Sequence, residues 1–238
     1  MEGGGMLLGI MGKVEHWEEE EEGYWVKWRM AVETNKAGPW RRVPERWHRQ
    51  VERYMMGGQY RQELEMIKEQ ILEYVKGIEV GVGGKDGWVM DVDDTCISNL
   101  GYYKDHAFGC EAFDSAKFKQ WIMKAECEAI PGMLELFREL LRRGFKLFLV
   151  TGRDRGRVAH ITSLNLHRQG FTGYHRLLFR GEEYKGESAA KYKSEMRRKI
   201  EGEGYKIWGN VGDQWSDLQG YSLGLRTFKL PNPMYCIP

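Results

Sequence analysis

Apolar residues fall in two periodicities along the chain, and the change between them comes near Gly87. Before it, Tyr60, Leu64, Ile67, Ile71 and Val75 recur at three- and four-residue spacing, which predicts a helix over Gln59–Val75 lying on the main core. After it, short apolar runs alternate with amphipathic stretches. Strands are predicted at Trp88–Val92, Phe145–Val150, Arg176–Phe179, Tyr205–Val211 and Leu225–Lys229. Helices are predicted at Ser115–Cys127, from Pro131 to the terminating Gly144, at Val158–Gln169 and at Glu187–Glu203. Strands alternating with helices imply an α/β fold, a Rossmann-like parallel sheet core flanked by helices. In such sheets ligands sit beyond the carboxyl ends of the strands.

Three chemistry-bearing strings occupy such ends. Asp91-Val92-Asp93-Asp94-Thr95 follows the first strand, Thr151-Gly152-Arg153 the second, and Gly212-Asp213-Gln214-Trp215-Ser216-Asp217 the fourth. A carboxylate can attack phosphorus and form an aspartyl-phosphate. Carboxylates side by side repel unless a cation or a shared proton intervenes. Mg2+ takes oxygen ligands and suits a site of a few aspartates plus phosphate, so Asp213 and Asp217 can bring further carboxylates to the same ion. Thr151 offers a hydroxyl donor and Gly152 an unobstructed backbone N–H, and a lysine ammonium completes a positive surround. By spacing alone Lys191 and Lys193 both qualify. Asp93 can protonate a leaving alkoxide and later activate water if its neighbours hold its pKa up.

Bulk properties narrow the field. The 238 residues carry 36 Lys and Arg against 35 Asp and Glu, a formal charge of +1, so no electrostatic case exists for nucleic acid. No stretch approaches the ~20 apolar residues of a membrane span. Met6–Met11 is apolar but lacks a basic flank and a small-x-small cleavage site, so no signal peptide is expected, an alternative start being left open. The four cysteines match no zinc or redox spacing and are expected as free thiols, a Cys110–Cys127 bridge being open to a secreted chain. The six histidines show no ligand spacing, and Gly81–Lys85 reads as a turn. Residues 1–23, with the acidic run Glu18–Glu22, are expected to be unordered. Trp25, Trp28, Trp40 and Trp47 are expected as packing anchors, in a region where Pro39 and Pro44 interrupt any long helix.

These signals, in this order, resemble the motif set of the haloacid dehalogenase-like superfamily. Several strings narrow the resemblance: Tyr54–Tyr60, Ser98–Tyr103, Tyr192-Lys193-Ser194-Glu195, Gly212–Asp217 and Phe228–Tyr235. They look like plant acid phosphatases of subfamily IIIB, a class B acid phosphatase-like group that includes the vegetative storage proteins. The resemblance implies Asp91 as nucleophile, Asp93 as acid/base and backbone-carbonyl metal ligand, Thr151 and Lys193 as phosphate binders beside the Gly152 N–H read above, and Asp213 as a Mg2+ ligand with Asp217 in support. Lys193 is preferred to Lys191 because the Tyr-Lys-Ser-Glu string falls there. Asp94 stands where the family usually has Glu, Cys96 where it has Leu, and Trp25 where a Cys is common. The expected organisation is a catalytic core over 87–238 with a small cap at about 99–128, and a mostly helical extension over 24–86 packed on it. Tyr102, Tyr103 and Phe108 are expected to shape a leaving-group pocket. The expected partner is a small phosphate monoester, with a homodimer left open. A storage protein with little turnover and a phosphotransferase on the same site are the rival readings. Family members are usually vacuolar or secreted, and the sequence leaves the location open.

Overall fold

The computed structural model describes residues 22–38 and 40–237. The chain divides into two compact units, 1–38 and 39–238. In the first, residues 22–33 form helix α1, with Trp25 and Trp28 stacked at 5.5 Å. Glu22 and Gly23, expected to be unordered, are thus helical, and the rest of that expectation lies outside the described residues, as does Pro39. Pro44 precedes a single 3-10 turn at Glu45–Trp47, which buries Trp47 and leads into α2 (His48–Met56) and α3 (Gln59–Lys76).

The second unit is built on five parallel strands, β1 (Asp86–Asp91), β2 (Lys146–Asp154), β3 (Arg176–Arg180), β4 (Lys206–Gly212) and β5 (Arg226–Lys229), in the order β3-β2-β1-β4-β5. The central strand is buried on both faces, as its unbroken Trp88-Val89-Met90 run requires. Successive side chains alternate across the sheet. Val89, with Phe148, Val150 and Ile207, packs under Tyr192, Met196 and Ile200 of α8 (Ala189–Gly202). Trp88 faces the other way, stacked on Phe228 at 5.8 Å and edge-on to Phe145 at 5.9 Å. On that side α3 lies against α6 (Pro131–Arg142), joined by Lys68–Glu135 at 2.6 Å, and Tyr74 donates to the Trp208 carbonyl at 3.0 Å. Gly209 is the floor beneath the indole. A Cβ there would meet the Trp88 ring at 2.3 Å. Gly209→Ala is therefore expected to cost about 1–3 kcal/mol as overpacking, read as a lower urea midpoint at unchanged slope.

Between β1 and α6 lie α4 (Leu100–Lys104) and α5 (Ser115–Met123), with α7 (Ala159–Arg168) following β2. An Ile97–Ala129 bridge closes the base of the 98–128 excursion. The helix expected to reach Cys127 stops four residues early because Ala125 takes a left-handed backbone, φ 54°. The helix expected from Glu187 starts at Ala189, where the Ser188 side chain caps the Lys191 N–H at 3.1 Å. Strand β2 runs four residues past Val150, through a register break between Thr151 and Asp154. All four cysteines are free, so the Cys110–Cys127 bridge does not form.

Candidate active site

Because every strand points the same way, the ends of β1, β2 and β4 bring Asp91, Thr151 and Asp213 to one edge, all buried. Asp91 closes β1. Asp94 then turns the chain in a left-handed conformation, φ 52°, held by its own carboxylate, which accepts from the Asn99 N–H at 2.8 Å and the Tyr235 hydroxyl at 2.8 Å. The Asp that replaces the family's usual Glu is therefore a loop and tail anchor. Beyond β4, Gly212 lets Asp217 fold back, since a Cβ would lie 2.3 Å from its Oδ2. Asp217 accepts from the Gln214 N–H at 3.0 Å in a reciprocal capping box.

Carboxylate oxygens of Asp91, Asp213 and Asp217 lie within 4.8 Å of one another, the one such cluster among the described residues. Lys193, buried on α8, donates to Asp91 at 2.5 Å and to Asp217. Lys191 is exposed and pairs with Glu187 at 2.8 Å, so of the two candidates Lys193 faces the cluster. Burial pushes Asp91 well above the usual carboxylate range against the pull of Lys193, with Asp217, Asp213 and Asp93 adding to the rise. Burial and Asp217 push Asp213 up to about 6, although Gln214 and Asn232 each donate to it at 2.7 Å. Lys193 stays an ammonium. Burial acts against its charge, but Asp217 and Asp91 more than offset that.

Asp93 behaves differently from expectation. Its half-buried carboxylate accepts from Arg153 Nη2 at 2.7 Å and Nε at 3.0 Å, from Asn99 at 2.9 Å and from the Thr151 hydroxyl at 3.2 Å. Burial alone would raise its pKa, yet the Arg153 charge and these donors bring it below the usual range. The neighbours therefore hold Asp93 ionised, where the sequence reading asked them to hold it up. Its side chain is not one of the three carboxylates that cluster. Thr151 donates to Asp93 and accepts from the Arg153 N–H at 3.1 Å, and Gly152 is exposed with open space around its Cα.

Fully ionised, the three buried carboxylates with one ammonium would carry an excess of two negative charges. All the donor atoms are hard oxygens, so a divalent cation of the Mg2+ type fits the set. The same crowding fixes a pH dependence. Asp94, lifted to about 7 by burial and by Asp213, and Asp213 at about 6 bind protons more tightly folded than unfolded. Raised acid pKa values give stability that is complete below the unfolded value and lost as pH rises through the folded one. The metal-free protein is expected to melt higher at pH 5 than at pH 7.5, with added Mg2+ flattening the difference in a thermal scan.

A cavity of about 370 Å³ opens above the cluster, walled by Tyr103, Phe113, Phe118, Ile122, Tyr235 and Ile237. Of the three aromatics expected there, only Tyr103 lines it, stacked on Tyr235 at 4.9 Å. Tyr102 is buried against His106 and Phe118, and Phe108 lies beside His48, because left-handed backbone at Ala107 and Phe108 (φ 49° and 50°) turns that segment away. Sequence reasoning missed Arg153, Asn99, Asn232 and Tyr235 as site residues. Each stood in a string noted for other reasons, and only a buried-charge argument for Arg153 could have singled one out.

A five-stranded parallel sheet with this aspartate cluster at its edge has the fold of the class C acid phosphatase from Bacillus anthracis. The two superpose at a TM-score of 0.64 over 79% of this chain and 85% of that one, at 20% identity. This chain's sequence places it among the haloacid dehalogenase-like α/β phosphatases. The chain belongs to the HAD superfamily, subfamily IIIB (acid phosphatase), whose sequence model matches residues 13–238. It is 45% identical to acid phosphatase 1 of Solanum lycopersicum over 88% of this chain and 82% of that protein. It is 36% identical to the stem 28 kDa glycoprotein of Glycine max, over 88% and 82%. Vegetative storage protein 1 of Arabidopsis thaliana is 30% identical over 89% and 78%. No helix among the described residues is long and apolar enough to cross a membrane.

Proposed function

We propose that this phosphatase-family chain hydrolyses phosphate monoesters through an aspartyl-phosphate on Asp91. The observation that carries the reading is the convergence of Asp91, Asp213, Asp217 and Lys193 at one strand edge, beneath a cavity large enough for a small ester. An Asp91 carboxylate oxygen forms the new bond to phosphorus as the bond to the ester oxygen breaks. The ester oxygen leaves with a proton. Asp93 is the donor, and since Arg153 holds it ionised in the resting site, it takes that proton from solvent or from the monoprotonated ester as substrate enters. Asp93 then accepts a proton from the water that attacks phosphorus, releasing inorganic phosphate and restoring Asp91. Lys193 balances charge on Asp91 and the phosphoryl oxygens, and Thr151 and Gly152 offer donors from the β2 end. Asp91, Asp213 and Asp217, with the Asp93 carbonyl, would hold Mg2+, which supplies charge neutralisation at the phosphoryl group.

Retention of the carboxylate at 91 supports turnover over a purely storage role. Hydrolysis of an aryl phosphate with and without Mg2+ tests the reading, and folded protein inactive from acid to neutral pH would move the weight to storage. A new phosphoester formed on adding glycerol would instead mark a phosphotransferase. The aromatic wall is proposed to hold the leaving group. Phe118→Ala is expected to lower kcat/KM on aryl phosphates about three- to tenfold relative to alkyl phosphates. Equal loss on both would remove Phe118 from that role.

A further inference from the structure

The floor and the mouth of the reaction cavity differ in charge. On the floor each cation is spent, Lys193 on Asp91 and Asp217 and Arg153 on Asp93. At the mouth, Lys119 from α5, Arg157 from the β2–α7 loop and Arg180 at the end of β3 line the same cavity. Among the described residues the Lys119 ammonium and the Arg157 guanidinium have no partner. Arg180 is braced through Nη2 on the Tyr184 carbonyl at 3.0 Å and on the Glu187 carbonyl, which leaves its Nε and Nη1 unspent. Arg157 and Arg180 also line an adjoining cavity of about 380 Å³ that ends at Lys185. Two acids lie among these cations and offset part of their charge. Asp154 accepts from the Arg157 N–H at 2.9 Å, and Glu182 lies 3.9 Å from Lys185.

With a divalent cation on its three carboxylates, the floor would match the scissile phosphoryl group. The mouth guanidiniums are surplus to it and line the same cavity as the nucleophile Asp91. We propose that Arg157 and Arg180 form a subsite for a second oxyanion, so that this chain selects phosphomonoesters whose leaving group itself carries a carboxylate or a further phosphate. The inference rests on the phosphomonoesterase reading and names its substrate class. Guanidinium forks suit both oxyanions, and charge-assisted pairs are the strong ones. Simple steering by surface charge would favour all phosphate esters alike and fade with salt, whereas a subsite discriminates among esters.

The test is calorimetric binding to full-length Asp91→Asn protein with Mg2+, in which nothing turns over. Three esters are compared: glycerol 3-phosphate, 3-phosphoglycerate and propane-1,3-diol bisphosphate. At least one of the two esters with an anionic tail is expected to bind about tenfold or more tightly than glycerol 3-phosphate, and the arm that does so tells carboxylate from phosphate. Adding Arg157→Gln is expected to bring that ratio near unity, while Arg157→Lys keeps part of it. Arg157 is exposed and unpartnered, so these variants are expected to fold, as circular dichroism checks. Equal affinities for all three esters, or a preference that survives Arg157→Gln at physiological salt, would overturn the subsite. Absence of turnover in wild type on every ester would instead strike the phosphatase reading, leaving the binding ratios as a separate result.

Discussion

Asp91→Asn is expected to lose roughly four or more orders of magnitude in kcat on an aryl phosphate, while the protein stays folded. The amide removes the attacking oxygen at almost constant volume. It also removes one of three crowded carboxylates, so the repulsion from Asp217 and Asp213 that raises Asp91 is relieved. Lys193 keeps Asp217 as partner. Melting temperature is therefore expected to stay within a few degrees of wild type, which separates a chemical loss from unfolding. A variant retaining more than about a hundredth of the activity would place the nucleophile elsewhere.

Lys193→Met is expected to damage both stability and activity. The ammonium is the shared partner of Asp91 and Asp217, and all three groups are buried. Removing one member of a buried charge set strands the others, at a typical cost of about 3–5 kcal/mol. For a chain of this size each kcal/mol lowers Tm by roughly 2–4 °C. A divalent ion should restore part of that stability by supplying positive charge to the same carboxylates, and so should the added change Asp217→Asn. Activity is expected to fall by about 10²–10³ even with Mg2+. A Tm equal to wild type, and insensitive to Mg2+, would mean that the ammonium does not balance the cluster.

Much of this arrangement was legible in the sequence, for identifiable reasons. Unbroken apolar runs such as Trp88–Met90 mark strands covered on both faces, and the rule that ligands gather at strand ends then selects Asp91, Thr151 and Asp213 together. Lys193 was separated from Lys191 only by its surrounding string, and the fold gives the reason: residue 193 lies beside the buried Tyr192–Met196 face and residue 191 faces solvent. What periodicity cannot carry is the return of distant segments. Asn232 reaches Asp213, Tyr235 reaches Asp94 and Arg153 reaches Asp93 through loops with no repeat to read. The Asp93–Arg153 pair matters most, because it leaves unmet in the resting site the condition on the Asp93 pKa under which that residue was read as the acid. The misplaced aromatics show the same limit on a shorter scale. Phe108 is near the nucleophile in sequence, and two left-handed residues send it elsewhere.

The central claim is a covalent phosphoryl group on Asp91. Wild-type protein mixed with Mg2+ and excess aryl phosphate, quenched in acid within the first turnover and digested, should yield a peptide spanning Gly87–Asp94 with one added phosphoryl group assigned to Asp91 by fragmentation. The same peptide from Asp91→Asn should carry none. Rapid release of inorganic phosphate with that peptide unmodified at every quench time would contradict the claim and point to direct attack by water.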